Sequence, residues 1–363
     1  MNLQIEILTP VSVGSGEVLS PYSDYVYDKG YVYYLDHDSL LEQINKRPNG
    51  QRLIDEFVNV VKGQAKSNDP DKIKLKGFLE RNGLDYKKYC YWKLPASEEV
   101  REQVQLHVKS AGQPYIPGSS LKGAIRTALL THLLFLDNED KFIKYINEEK
   151  EKSRSFSYIG QDIFGKFGDD SLKYLQVSDS RPFNQEDMKI VKFYKFNLKN
   201  KKLDIPIVKE VLSQGVSTIS IKISEPKEEL NKLNRKLSSL LFERNEAVLL
   251  EIINEYTNKN IEIELEQLQK FKSAETAEIE KFYRSLLESL KSADKKKEAY
   301  LRIGSGKTYY NNTIAQKLSV QNIERIVKNN FKKANPKAFP LTRTVVLEGG
   351  RREVPGWIKI SML

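Results

Sequence analysis

Residues 114–130, PYIPGSSLKGAIRTALL, place glycines, serines and two cations at what reads as the start of a helix. Pro117 and Gly118 stop an extended stretch, and Ser119 or Ser120 is positioned to cap the helix that follows. Leu121, Ile125, Ala128, Leu129, His132 and Leu133 then share one face, which suits packing on a sheet. Lys122 and Arg126 are four apart and fall on a different stripe. Cations near a helix start oppose the dipole by a few tenths to roughly 1 kcal/mol. A bound phosphate would remove that conflict, because backbone N–H groups, the serine hydroxyls, Lys122 and Arg126 would converge on it. The alternative is an ordinary capped helix with solvated cations. A nucleotide-hydrolysing P-loop is excluded. Gly118 and Gly123 have its spacing, but Ala124 stands where lysine is required.

Residues 304–313, GSGKTYYNNT, offer a second site. Gly304, Ser305 and Gly306 let a backbone approach closely, Lys307 supplies charge, and Tyr309 and Tyr310 provide rings for stacking. That combination suits single-stranded RNA. The alternative is a glycine hairpin whose tyrosines pack in the core. In the tail RTVVLEGGRREVPGW, Arg343, Arg351 and Arg352 surround Gly349-Gly350 and would either grip phosphates or decorate an exposed turn.

Signals for metal or acid–base chemistry are weak. His37, His107 and His132 are isolated, with no H-x-x-x-H spacing, and His132 is expected at the core or its boundary. The single cysteine, Cys90, lies near no marked histidine and is expected to be buried and inert. Asp24 and Asp162 sit near loops, but no paired-carboxylate spacing singles them out. These observations argue against catalysis, and no metal or other cofactor is expected.

The elements that must position these residues read as α+β. LQIEILTP alternates as a strand and leads into VSVGSGE. DYVYD and YVYYLD flank Lys29-Gly30 as a hairpin, and Asp38 is expected to cap the next helix. Residues 50–110 read as a small helical insertion, within which EQVQLHVKS suits a strand. A second helix is expected over DKFIKYINEEKEK, and QDIFGKFGDD as a surface loop. LKYLQVSDSRP, MKIVKFYKFNLK, PIVKEVL and VSTISIKIS read as strands in the middle of a second sheet, the last two split by Gly215. The window 226–298 is rich in Glu, Lys and Leu, with leucines at 230, 233, 237, 240 and 241, and reads as long charged helices with a break near 257–260. Gly-Ser-Gly follows a strand twice, in VSVGSGE and LRIGSGKTY, which suggests two similar half-domains.

The chain has 363 residues, 39% of them hydrophobic, enough for one large core or two to three smaller ones. No apolar run of about 18 residues appears, so no membrane partner is expected. One cysteine permits no intrachain disulfide, and the N-terminus resembles neither a signal nor a transit peptide, so the cytoplasm is the expected location. The net charge of +10 favours a polyanionic partner such as nucleic acid.

The segment IPGSSLKGAIRTAL resembles the signature of the RAMP superfamily of CRISPR–Cas effector proteins. Its order among LTPVSVGSGE, DYVYDKGYVYYLD, LRIGSGKTYYNNT and PGWIKI is similar to that of the fifth subunit of the Csm series from type III-A complexes. The resemblance implies two ferredoxin-like, RRM-like domains with helical insertions, placed at 1–180 and 181–363. It implies a noncatalytic subunit that binds crRNA, caps the 3′ region and supports crRNA maturation and complex assembly. Implied partners are crRNA, other Csm subunits, especially the adjacent backbone RAMP subunit, and in addition target RNA and host nucleases acting in trans. Carried over as RNA-binding are Gly118, Ser119, Ser120, Lys122, Gly123 and Arg126, with Gly304, Ser305, Gly306 and Lys307. The alternatives are a RAMP endoribonuclease that processes precursor CRISPR RNA, a Cmr-series RAMP subunit, and an assembly protein whose charge is incidental.

Overall fold

The computed structural model describes residues 1–65, 75–134, 136, 139–152, 158, 160–166, 168–224, 246–331 and 334–363. In chain order the strands are β1 (Asn2–Ile7), β2 (Gly14–Leu19), β3 (Tyr25–Asp28), β4 (Tyr31–Leu35), β5 (Cys90–Pro95), β6 (Val104–His107), β7 (Lys109–Ser110), β8 (Gln113–Pro114), β9 (Leu175–Val177), β10 (Met188–Asn197), β11 (Ile207–Leu212), β12 (Val216–Ile223), β13 (Glu298–Arg302), β14 (Thr342–Glu348), β15 (Arg351–Glu353) and β16 (Trp357–Met362). The α-helices are α1 (His37–Asn45), α2 (Gly50–Ala65), α3 (Leu75–Arg81), α4 (Gly118–Leu133), α5 (Glu139–Lys152), α6 (Gln161–Phe164), α7 (Glu246–Gln269), α8 (Ala274–Ser292) and α9 (Val320–Asn330). The chain is an α+β protein, as its pattern predicts.

β1 buries Leu3, Ile5 and Ile7 on one side and pairs antiparallel with β12 and β16. It is the centre of a five-stranded sheet ordered β13-β16-β1-β12-β9. A six-stranded sheet runs β15-β14-β10-β11-β6-β2, with β11 parallel to β6. The four strands expected in one second sheet are therefore divided. β10 and β11 join the six-stranded sheet, while β9 and β12 join the five-stranded one. Gly215, at φ 105°, makes the turn between β11 and β12, and its carbonyl accepts from the Ile7 N–H. Each of the two larger sheets takes strands from both sides of residue 180, so the expected division there does not follow the sheets.

The main core joins the five-stranded sheet to α4 and α7. Ile219, Ile221, Ile358 and Ile360 meet Leu121, Ile125 and Leu129 from α4 and Leu250 and Ile253 from α7. Each fully buried aliphatic contributes about 1.5–3 kcal/mol. α7 is thus no peripheral insertion, although its residues belong to the charged window; the leucines from 230 to 241 lie outside the described residues. The expected break at 257–260 is absent too. Asn254 Nδ2 donates to the Glu298 carbonyl, the Tyr300 N–H donates to Asn254 Oδ1, and Thr257 Oγ1 donates to the Tyr300 carbonyl. These polar helix residues satisfy the open edge of β13, a role that outweighs their weak helix propensity. The chain breaks instead at Ser273, which caps α8.

A separate core forms where α1, α2 and α3 cover the sheet β3-β4-β5 through Leu40, Leu53, Phe57, Phe78 and Tyr33. The expected hairpin is present, with Lys29 and Gly30 both at positive φ. The cap of α1 is Asp36, not Asp38, because the Asp36 carboxylate accepts from the Ser39 N–H. The region 50–110 holds helices as expected, EQVQLHVKS contains β6 as its pattern suits, and β5 is an additional strand.

Candidate functional site

The signature helix α4 begins at Gly118, one turn edge earlier than a serine cap would allow. Pro117 is its N-cap and no side chain caps it from within the motif. The Gly118 N–H donates instead to Asp179 Oδ1 at 2.7 Å. A carboxylate already sits where the phosphate was expected, satisfying the helix start and its dipole. Gly118 itself is required by packing. A Cβ there would lie 2.3 Å from the Val177 carbonyl oxygen and 2.6 Å from that of Ser178. Ser119 is exposed and Ser120 half-buried, and neither caps the helix.

The outward stripe of α4 is what remains available to an anion. Gly123 is exposed, and a Cβ there would meet nothing within 4 Å. Lys122, half-buried, has no hydrogen-bond or ion-pair partner among the described residues. Arg126 stacks on the Phe164 ring, 4.6 Å from its centre, with Asp170 at 3.5 Å.

The loop 304–313 is held rigidly. Gly304 is at φ 68°, and a Cβ on it would lie 2.4 Å from the Ser12 carbonyl oxygen, which accepts the Ser305 N–H at 2.8 Å. The two Gly-Ser-Gly segments are therefore spatial neighbours. Buried Arg302 donates to the Pro355 and Gly306 carbonyls and to Asn311 Oδ1. Thr308 donates to Glu264, which also pairs with Arg343 at 2.5 Å.

Two expected RNA contacts are corrected here. Arg343 is 3% exposed, because β14 turns it inward to the Glu264 carboxylate. Tyr310 is 5% exposed and packs on Ile323 and Val327. Both side chains are buried within the fold. Tyr309 is half-buried beside Phe331 and Phe339, Arg351 is exposed on the β14–β15 turn, and Arg352 pairs with Glu278.

Two further cations join Lys307 that no motif marked. Lys195 on β10 and Lys209 on β11 lie on the same face of the six-stranded sheet as Phe193 and Val211. Lys195 Nζ donates to Thr344 Oγ1 at 2.7 Å. Lys209 Nζ donates to Gln105 Oε1 at 2.6 Å and to Ser305 Oγ at 3.2 Å. All three ammonium groups are held below the ordinary lysine range. Loss of solvent is the larger cause, followed by Arg302 for Lys195 and Lys307 and by Lys195 for Lys209. No carboxylate pairs with any of the three among the described residues. Lys209 and Lys307 are half-buried and Lys195 is exposed, and clustered positive charge left without a counter-carboxylate favours an anion. The available signal was alternation: lysines at i and i+2 from apolar residues in MKIVKFYKF and PIVKEVL.

A cavity of about 430 Å³ connects the two motifs. Arg126 and Thr127 of α4 line it together with Tyr158, Tyr309, Asn312 and Phe331. Sequence reasoning found both motifs but not this meeting.

The remaining candidates are structural. Buried His107 accepts from the Val13 N–H and donates through Nε2 to the Tyr115 carbonyl, and burial lowers its pKa to about 4. His132 is exposed beside Glu255, not at the core boundary as expected. Half-buried Cys90 has its thiol pushed up by burial. Asp24 accepts from the Ser20 N–H and the Ser23 hydroxyl, and Asp162 from the Tyr158 hydroxyl. Among the described residues no three His, Cys, Asp or Glu side chains are grouped to hold a metal, and no helix is long and apolar enough to cross a membrane.

Residues 4–309 match the family model described as the RAMP superfamily. A Methanocaldococcus jannaschii protein described as CRISPR system Cms protein Csm5 is 26% identical over 401 aligned positions, covering 100% of this chain and 89% of the relative. A Streptococcus thermophilus protein of the same description is 25% identical over 65% of this chain and 66% of the relative. Among solved structures, a chain of a Csm–crRNA–target RNA ternary complex from a type III-A CRISPR–Cas system superposes with a TM-score of 0.76 at 22% identity, covering 99% of this chain and 100% of that one. Csm5 of T. onnurineus superposes with a TM-score of 0.63 at 21% identity, over 98% and 99% of the two chains.

Proposed function

The chain belongs to the RAMP superfamily, and from that premise we propose that it is a noncatalytic RNA-binding subunit of a type III CRISPR effector complex. The observation that carries this reading is the trio Lys195, Lys209 and Lys307, none paired with a carboxylate among the described residues, with Lys209 Nζ on Ser305 of a rigid glycine loop. A polyanion that accepts hydrogen bonds from these ammonium groups removes their mutual repulsion. The contacts are to phosphate, so they position an RNA without reading its sequence. Lys122 on the outer stripe of α4 extends the cationic track.

The similarity to a chain of a Csm–crRNA–target RNA complex supports assigning the RNA as crRNA, and with the names of the relatives it supports other Csm subunits as partners. Capping of the crRNA 3′ region, support of its maturation and recruitment of nucleases in trans belong to the same proposal, as does a cytoplasmic location. So does the two-unit ferredoxin-like reading. The antiparallel lateral order β16-β1-β12-β9, with α4 crossing between β1 and β9 and α7 and α8 between β12 and β13, supports one such unit.

The test is binding of a single-stranded repeat RNA by the full chain across a salt series, with the RNA examined on a gel afterwards. Salt-sensitive binding with intact RNA is the expected result. Cleaved RNA whose cleavage a point substitution abolishes would turn the reading to a processing nuclease. No binding at low salt would leave an assembly role.

A further inference from the structure

We propose that the cavity between α4 and the loop 304–313 takes one unstacked base of a single-stranded RNA. The inference rests on the RNA-binding reading above and names what that RNA does there. The cavity, at about 430 Å³, falls in the range of small-ligand sites and far below a helix-sized groove. Its wall is chemically mixed. Tyr158, Tyr309 and Phe331 present rings, and Arg126 presents a planar guanidinium already stacked at 4.6 Å on Phe164. Phe331 is 42% exposed, an aromatic left in water at the end of α9. It meets Phe339 at 5.0 Å and Tyr309 at 6.3 Å between ring centres, so the rim is an aromatic platform and not a single stray ring.

A polar handle faces the same space. Asn312 is exposed, and its Nδ2 makes one long bond, 3.3 Å, to the Thr308 carbonyl. Its Oδ1 has no partner among the described residues. A flat ring system whose face stacks and whose edge both donates and accepts fits this wall. An aliphatic side chain from a protein partner would use the rings but leave the amide unanswered.

The position of the cavity supplies the second argument. Lys122 lies one turn before Arg126 on α4, and Lys307 lies two residues before Tyr309. Two residues span at most about 7 Å between Cα atoms, so the Lys307 backbone adjoins the cavity rim at Tyr309. A strand whose phosphates rest on Lys122 at one side and Lys307 at the other passes the mouth of the cavity. One base from that strand reaches the aromatic rim without leaving the cationic track.

The experiment uses the full chain and a short single-stranded RNA in which each base in turn is replaced by an abasic position. The expected result is a loss of about fivefold to hundredfold at one position of the scan and little at the others, the range for one stacked base. Phe331→Ala, at a partly exposed site at the end of α9, should weaken the intact RNA by a similar factor while urea unfolding checks that the fold is kept. It should then show no further loss with the abasic RNA, since both changes remove the same contact. Lys122→Ala should weaken every RNA in the scan uniformly and keep the one sensitive position. A flat abasic scan with Lys122→Ala still weakening binding would overturn the base site and leave the RNA-binding reading standing. Binding that neither salt nor Lys122→Ala alters would overturn both. Phe331→Ala that leaves the scan unchanged but releases the chain from its assembly would assign the cavity to a protein side chain and overturn the proposal.

Discussion

Lys209→Met separates stability from function at the lysine trio. The ammonium lies on a sheet face with Gln105 Oε1 at 2.6 Å and Ser305 Oγ at 3.2 Å, and sits over the Phe193 ring, 5.7 Å from its centre. Methionine keeps an unbranched apolar stem but removes the charge and with it the cation–π contact to Phe193. Gln105 is only half-buried, so water replaces its lost donor. Desolvation, then Lys195, holds the Lys209 ammonium below its ordinary pKa. A base whose folded pKa lies below its unfolded value binds fewer protons when folded. Its contribution to stability therefore rises with pH between the depressed value and the ordinary one. Removing it should leave the free chain equally stable or slightly more stable near neutral pH, within about 0.5 kcal/mol, and flatten that alkaline rise. RNA binding should respond in the opposite direction. A hydrogen bond to a charged group contributes about 1.5–3 kcal/mol, so affinity should fall by roughly ten- to a hundredfold. One phosphate contact on a single strand contributes about 0.7 to the slope of log K against log salt, and the slope should fall by that amount. Urea unfolding and filter binding over a salt series read the two effects. A destabilisation above about 2 kcal/mol would mean that Lys209 is a structural residue. An unchanged salt slope would refute the reasoning that it meets phosphate.

Two glycines of one motif should behave oppositely. Gly118→Ala forces a Cβ to within 2.3 Å of the Val177 carbonyl oxygen and should destabilise by about 1–3 kcal/mol in urea. Gly123→Ala meets open space in an exposed helix turn and should stabilise by roughly 0.5–1 kcal/mol. Glu264→Gln leaves Arg343, 3% exposed, without its counter-charge and should destabilise by about 3–5 kcal/mol. Combining it with Arg343→Met should recover part of that loss, and a wholly additive double variant would contradict the pairing. For His107, 1% exposed, the folded pKa of about 4 lies below the ordinary 6.5. Its stabilising contribution is complete above pH 6.5 and lost as pH falls towards 4, up to about 3 kcal/mol. His107→Gln should flatten acid unfolding in that window, and an unchanged pH profile would refute the assignment.

Local chemistry was legible wherever a few neighbouring residues decide it. The alternation in NLQIEI fixed β1, and Lys29-Gly30 fixed the hairpin, because period and turn propensity act over two to four residues. The motif around Gly118 and the cation at Lys307 were visible as residue types, and so was the family resemblance. What those residues do was decided by partners distant in sequence. Asp179 takes the start of α4, Glu264 draws Arg343 inside, and Ser12 demands a glycine at 304. The helix 246–269 passes through a sequence that reads as a break because β13 needs its Asn254 and Thr257 side chains. The lysine trio and the cavity beside Tyr309 draw on strands, helices and loops spread between residues 126 and 331. Charge and periodicity are properties of a segment, and the sequence carries them openly. Burial, pairing and the meeting of two motifs are properties of the packed chain, set by which surfaces close against one another, and only the tertiary structure decides them.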